Sequence, residues 1–137
     1  FRKLDDVIEQ IKMEHGKHTI IVDVHGESTS EKMAIGHYLD GKVTAILGTH
    51  THVPTADLQI LTKGTFYQTD LGMCGDYDSV IGMKKEECIQ KFTKKFIKTR
   101  LEPANGEGTL CGTIINVDKE MKVFEFKQIL KGGRLNS

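Results

Sequence analysis

An α/β fold is what this sequence predicts, and two observations carry the prediction. The segments "LDDVIEQIKMEHGK", "HTIIVDV", "STSEKMAIGHYLDGK" and "VTAILG" follow one another, so amphipathic helical patterns alternate with short β-branched runs. Strand, helix, strand is the order of a βαβ unit, in which the helix lets two strands lie parallel with their C-terminal ends on one edge. The second observation is bulk composition: 137 residues, 38% apolar and 28% charged, suit one ordinary domain with a single core.

Each element has its own signals. In the first segment Leu4, Val7, Ile8, Ile11 and Lys12 recur at helical spacing, acids occupy the first turn, and Gly16 is a natural stop. Residues 18–24 form a short apolar, β-branched run that reads as a buried strand and ends at His25. Hydroxyl residues three positions before Glu31 make a capping-box arrangement, so a second helix is expected from about Glu31 to Leu39, stopping near Gly41. "VTAILG" (43–48) is the next strand. Beyond Pro54, "DLQILT" and "TFYQTD" flank a Lys63-Gly64 turn and predict a hairpin, followed by a glycine-punctuated loop, "LGMCGDYDSVIGM". "KKEECIQKFTKKFIK" places Cys88, Ile89, Phe92, Phe96 and Ile97 on one helical face. A long final hairpin, "TLCGTIINVDKEMKVFEFKQIL", turns at Asp118 to Met121, and "KGGRLNS" is expected to fray. No repeat, linker or internal domain boundary interrupts the chain.

Charge and cysteine usage narrow the chemistry. Nineteen basic residues balance nineteen acidic ones, so no global field favours nucleic acid or an anionic membrane, and phosphate chemistry must be local. The three cysteines, Cys74, Cys88 and Cys111, are odd in number and lack any CxxC, which disfavours a disulfide framework and points to a reducing cytoplasm. No apolar run approaches the ~18 residues that span a bilayer, and no signal-peptide pattern opens the sequence. A chain that starts at Phe1, already inside an amphipathic pattern, is expected to be a piece of something longer.

Both predicted parallel strands end in histidine, His25 on the first and His50 with His52 on the second. Ligands collect outside the carboxyl ends of such strands, so three imidazoles are expected to converge there. Neighbouring strands lie ~4.8 Å apart, close enough for histidines at two tips to reach one ion. A bend between His50 and His52 can splay them toward two ions ~3.5–4 Å apart. The bland alternative is a solvated or hydrogen-bonded loop pair. His15, His18 and His37 lack this convergence and read as structural or surface residues.

Three segments in order, "VDVHGESTSEK", "GTHTHVPTAD" and "TDLGMCGDYDSVIGM", resemble the C-terminal half of the YmdB-like metallophosphoesterases, a branch of the calcineurin-like phosphoesterase superfamily. The resemblance implies the C-terminal half of a four-layer α/β/β/α sandwich and a phosphodiesterase that hydrolyses 2′,3′-cyclic nucleotides through a metal-bridging hydroxide. It implies two divalent or trivalent metal ions, Mn or Fe and also Zn, with His25 and His50 on one and His52 on the other. The aspartate, the bridging glutamate, the asparagine and the general-acid histidine of that family come from its N-terminal half, and nothing here matches them. The implied partners are that N-terminal half, a cyclic nucleotide and a second copy in a homo-oligomer. Three neutral imidazoles cannot offset the charge of two such ions, so the chain alone is expected to bind metal weakly.

Other residues near these segments have competing readings. Asp23 and Glu27 can orient His25 or simply meet solvent. Thr49 and Thr51 can hydrogen-bond phosphate or merely suit a strand. Lys32 reads as a solvated lysine. Tyr77 can stack on a base and so bind substrate. Cys74 has no basic neighbour in sequence to lower its pKa, which argues against a nucleophilic thiol. Besides the enzyme, a non-catalytic metal-binding or assembly fragment and a small binding module with an incidental HxH remain open.

Overall fold

The computed structural model of the chain describes residues 1–94 and 100–135. Helix α1 (Arg2–His15) leads into strand β1 (Ile21–His25), helix α2 (Thr29–Leu39) and strand β2 (Ala45–Thr49). Two short strands, β3 (Gln59–Ile60) and β4 (Phe66–Gln68), follow, then β5 (Gly75–Asp76), helix α3 (Lys85–Thr93) and the long strands β6 (Gly108–Val117) and β7 (Val123–Lys131). The first sheet has the order β1-β2-β4-β3, with β1, β2 and β4 mutually parallel and β3 antiparallel at the edge. The second sheet, β5-β6-β7, is antiparallel throughout.

Local signals act where the sequence places them. Gly16 ends α1 in a left-handed conformation with its amide on the Lys12 carbonyl, at 2.8 Å. Ser28 caps α2 by accepting from the Glu31 amide. The β6–β7 turn is organised by the Asp118 carboxylate, which accepts from the amides of Glu120 and Lys122 at 2.8 and 2.9 Å.

Strand alternation sorts the core into two layers. Ile46 and Tyr67 join Ile8 and Leu39 on the helix side of the first sheet, while Ala45 and Phe66 meet Val123, with Ile115 and Val117, on the other. The order helices, first sheet, second sheet is therefore part of an α/β/β/α sandwich. Gly36 lets α2 settle on the sheet, since a Cβ there would sit 2.7 Å from the Tyr67 ring. At Gly48 a Cβ would overlap the Thr69 carbonyl oxygen, so the β2 end and the β4 end approach closely only because that residue has no side chain.

Several expectations change. The hairpin strand β4 also pairs in parallel with β2, which brings Asp70, just past its end, to the same edge as the histidines. The loop after it is not wholly irregular: Gly75 and Asp76 extend the second sheet by pairing with Thr109 and Gly108. The segment expected to fray is held as far as Leu135, with Arg134 on Asp78 at 3.2 Å. On α3, Cys88 is buried but Ile89 is 54% and Phe92 89% exposed, so its apolar face has no cover among the described residues. The predicted continuation of α3 through Phe96 and Ile97 lies outside the described residues.

The largest correction concerns Lys32. It is 1% exposed, not solvated, and its ammonium donates to the equally buried Asp70 at 3.2 Å. The same carboxylate accepts from the amides of Thr51 (2.8 Å) and Gly72 (3.0 Å). Burial pushes the Asp70 carboxyl up, but those amides, the Thr51 hydroxyl and Lys32 outweigh it and hold it below its ordinary 3.8. A carboxyl lowered on folding stabilises the native state above the unfolded pKa and loses that contribution as pH falls through the folded value. Lys32→Met should therefore cost about 3–5 kcal/mol in urea unfolding at neutral pH, by stranding a buried charge. In the wild-type chain the contribution of Asp70 should hold constant above pH ~5 and drain away below its ordinary 3.8, measured as the loss of the Lys32→Met difference in acid. Gly48→Ala should destabilise by at least about 1–3 kcal/mol, because backbone must move to admit the methyl.

Candidate functional site

The parallel register sets His25 opposite Thr49, at the shared C-terminal edge of β1 and β2. Asp23 and His25 lie on one face of β1, two residues apart. The Thr49 hydroxyl donates to Asp23 Oδ1 at 3.0 Å and lies 2.9 Å from His25 Nδ1. With its proton committed to the carboxylate, the threonine oxygen accepts from the ring, so we assign the hydrogen to Nδ1 and the lone pair to Nε2.

That Nε2 faces His50 Nδ1 at 3.3 Å, and the two rings meet edge to face at 5.0 Å and 82°. Two nitrogens bound to one ion at about 2.0–2.1 Å are themselves about 3.0–3.4 Å apart, so this pair can hold a cation between them. Among the described residues no group of three or more His, Cys, Asp or Glu converges on such a point. The pair fits two positions of a coordination sphere, and the remaining ligands would have to come from elsewhere.

His52 points to a different partner. Its Nδ1 donates to the Ile81 carbonyl at 2.8 Å, which leaves Nε2 with a lone pair on an exposed ring. The structure thus brings His25 and His50 together and turns His52 away from them. The cause is backbone: His50 and His52 both have positive φ, 131° and 66°, and so does Ile81 at 50°. Non-glycine residues in that region cost of order 1–3 kcal/mol each and persist only where neighbours over-determine them.

The neighbours here are identifiable. Asp70 holds the Thr51 amide, and the Thr49 carbonyl accepts from Gly26 N at 3.2 Å and, more weakly, from Lys32 Nζ at 3.4 Å. The His52 carbonyl accepts from the Tyr77 hydroxyl at 2.9 Å and from the Met73 amide at 3.3 Å. Tyr77 shares its proton with the Met73 carbonyl at 3.1 Å, and its oxygen accepts from the Met73 amide at 3.0 Å. Burial, reinforced by the Cys111 thiol against it, pushes the Tyr77 hydroxyl far above its ordinary 10.0, so it remains a donor.

Asp23 reaches His25 only through Thr49, Glu27 is exposed, and the Thr51 hydroxyl is engaged with the Val53 carbonyl at 3.2 Å. His15, His18 and His37 are exposed and away from the strand ends. Cys74 is exposed, its thiol on the Cys111 carbonyl at 3.4 Å. Asp70, the Ile81 carbonyl and the Tyr77 hydroxyl are the site-shaping groups that sequence reasoning missed. Lys32 carried one signal: a cation in the first turn of a helix opposes the dipole and needs a partner.

A family model described as YmdB-like protein matches residues 1–129. A Bacillus subtilis protein named 2′,3′-cyclic-nucleotide 2′-phosphodiesterase is 47% identical over 124 residues, 89% of this chain and 45% of that protein. A crystal structure of a hypothetical protein from Thermus thermophilus superposes with a TM-score of 0.85 at 38% identity, covering 97% of this chain and 50% of the other. That of a novel phosphatase from Mycoplasma pneumoniae gives 0.82 at 40%, covering 93% and 46%. The chain spans about half the length of these relatives. Matched over nearly all its residues, with the histidine-bearing edge inside the match, this chain belongs to the YmdB-like protein family.

Proposed function

We propose that this chain supplies the histidine side of a dinuclear metal site in a phosphodiesterase acting on 2′,3′-cyclic nucleotides. The observation that carries the reading is the pair of nitrogens, His25 Nε2 and His50 Nδ1, 3.3 Å apart at a strand edge. The name of the Bacillus subtilis relative supports the substrate class. In this reading His25 and His50 hold one ion and His52 Nε2 holds the other. Mn or Fe, or Zn, suits imidazole completed by carboxylate and amide ligands.

When bound, such ions supply positive charge toward the phosphoryl oxygens and make a water acidic enough to attack phosphorus. The residues of this chain do the preparatory work. Asp23, through Thr49, keeps the His25 lone pair on Nε2, and the Ile81 carbonyl does the same for His52. Tyr77 fixes the His52 backbone with its hydroxyl, and its ring is the candidate surface for stacking on a nucleobase. Three neutral imidazoles bring no negative charge, and the family resemblance assigns the bridging carboxylate and the general-acid histidine to an N-terminal half that would pack against this one. The exposed Ile89 and Phe92 favour a partner surface over α3, either that segment or a second copy. The three free thiols suit the cytoplasm, where we place the protein.

The decisive experiment uses the complete gene product, with metal content and hydrolysis of 2′,3′-cyclic AMP measured together. His52→Ala should lose activity and part of the bound metal; unchanged values for both would sink the assignment. Thr49→Val, which removes the hydroxyl between Asp23 and His25, should weaken metal binding by about 10–100-fold, and Thr49→Ser should restore it. Equal metal affinity in the valine variant would show that the threonine does not orient the ligand.

A further inference from the structure

Gln68, at the end of β4, is fully buried in the layer between the two sheets. By strand alternation it shares a face with Phe66, whose ring lies 5.0 Å from that of Phe126 on β7. A buried amide must find its partners within the protein. Here Oε1 accepts from the Thr113 hydroxyl of β6 at 2.6 Å, and Nε2 donates to the Asp70 carbonyl at 2.9 Å and to the Thr55 carbonyl at 3.2 Å. An apolar side chain of the same length would fill this place without the desolvation, so packing does not account for the amide.

The two carbonyls belong to the residues that close the histidine loop. Thr55 ends the segment after His52, and Asp70 carries the carboxylate that receives the Thr51 amide. They bond reciprocally: the Thr55 amide donates to the Asp70 carbonyl at 3.0 Å, and the Asp70 amide donates to the Thr55 hydroxyl at 2.9 Å. Neither carbonyl needs Gln68 for its satisfaction. The Thr55 amide serves that of Asp70, and Gln128 Nε2, from β7, serves that of Thr55 at 3.1 Å. Gln68 adds a single side chain that holds both residues at once and is itself held by the second sheet, where Thr113 and Gln128 stand opposite each other in register.

We propose that Gln68 is a positioning residue for the histidine edge, a role that rests on the dinuclear metal reading above. It touches no candidate ligand and acts through Thr55 and Asp70. His50 and His52 have positive φ, and backbone of that kind persists only where its surroundings over-determine it. The near end of their loop is fixed by β2, the middle by Asp70 at the Thr51 amide, and the far end at Thr55. Gln68 braces the second and third of these against the other sheet.

The test uses the complete gene product and the double variant Q68M/T113V. Methionine keeps the length of the side chain, and valine removes the hydroxyl that would otherwise lose its partner. The urea midpoint should stay close to that of the wild type, because no buried carbonyl is orphaned. Affinity for Mn2+, followed by the electron paramagnetic resonance of the free ion, should fall about tenfold. In the metal-free protein the Thr51 amide should exchange with deuterium about tenfold faster, which locates the cause in the loop. Ile8→Val, in the core on the helix side, should lower the urea midpoint and leave Mn2+ affinity unchanged. Unchanged Mn2+ affinity in Q68M/T113V, or a loss that Ile8→Val reproduces, would overturn the role of Gln68 while the metal reading stands. A wild-type protein that binds no Mn2+ would overturn the metal reading and the role of Gln68 with it.

Discussion

Lys32 and Asp70 meet in the interior from different parts of the chain, one on the first turn of α2 and the other just past β4. Their contact, with both side chains 1% exposed, ties the helix layer to the end of the sheet. A buried pair of this kind contributes little net energy compared with apolar packing, and its value lies in what it specifies. Here the carboxylate has more to do than meet an ammonium: it also receives the amides of Thr51 and Gly72, so it sets the path of the histidine loop and of the loop after β4. The backbone between His50 and His52 is fixed by that placement at the Thr51 amide.

The histidines show why such an anchor is needed. His50 and His52 adopt backbone conformations that side chains disfavour, and Ile81, a β-branched residue, does so opposite them. Left to local preference, the segment after β2 would relax into an ordinary turn and the rings would lose their aim. Hydrogen bonds at Thr49, Thr51 and His52 hold the backbone on both sides of the strained positions. A separate set of bonds, from His25 to the Thr49 hydroxyl and from His52 to the Ile81 carbonyl, orients the rings.

The two central strands explain how so few residues position the edge this rigidly. β2 and β4 are apolar on both faces, toward α1 and α2 on one side and toward the second sheet on the other. Gly48 removes the one side chain that would keep their ends apart. By contrast β1 is covered on the helix side only, and its Ile21, Asp23 and His25 remain exposed. His25, at the end of this half-covered strand, is therefore open on the side away from the helices.

Much of this was legible in the sequence, and the reasons divide cleanly. The periodicities of α1 and α2, the β-branched runs of β1 and β2, the Ser28 cap and the Asp118 turn are local physics, so the elements and their order can be read residue by residue. The strand-end histidines could be found for the same reason, since a βαβ unit brings both strand ends to one edge. Tertiary structure alone decided the parallel placement of β4 beside β2, the burial of Lys32 against Asp70, and the Ile81 carbonyl as the partner of His52. These depend on contacts between residues far apart in sequence, whose free energy no local pattern records. A charged residue such as Lys32 has the same propensity whether it meets water or a buried carboxylate, and only the folded chain brings that carboxylate to it.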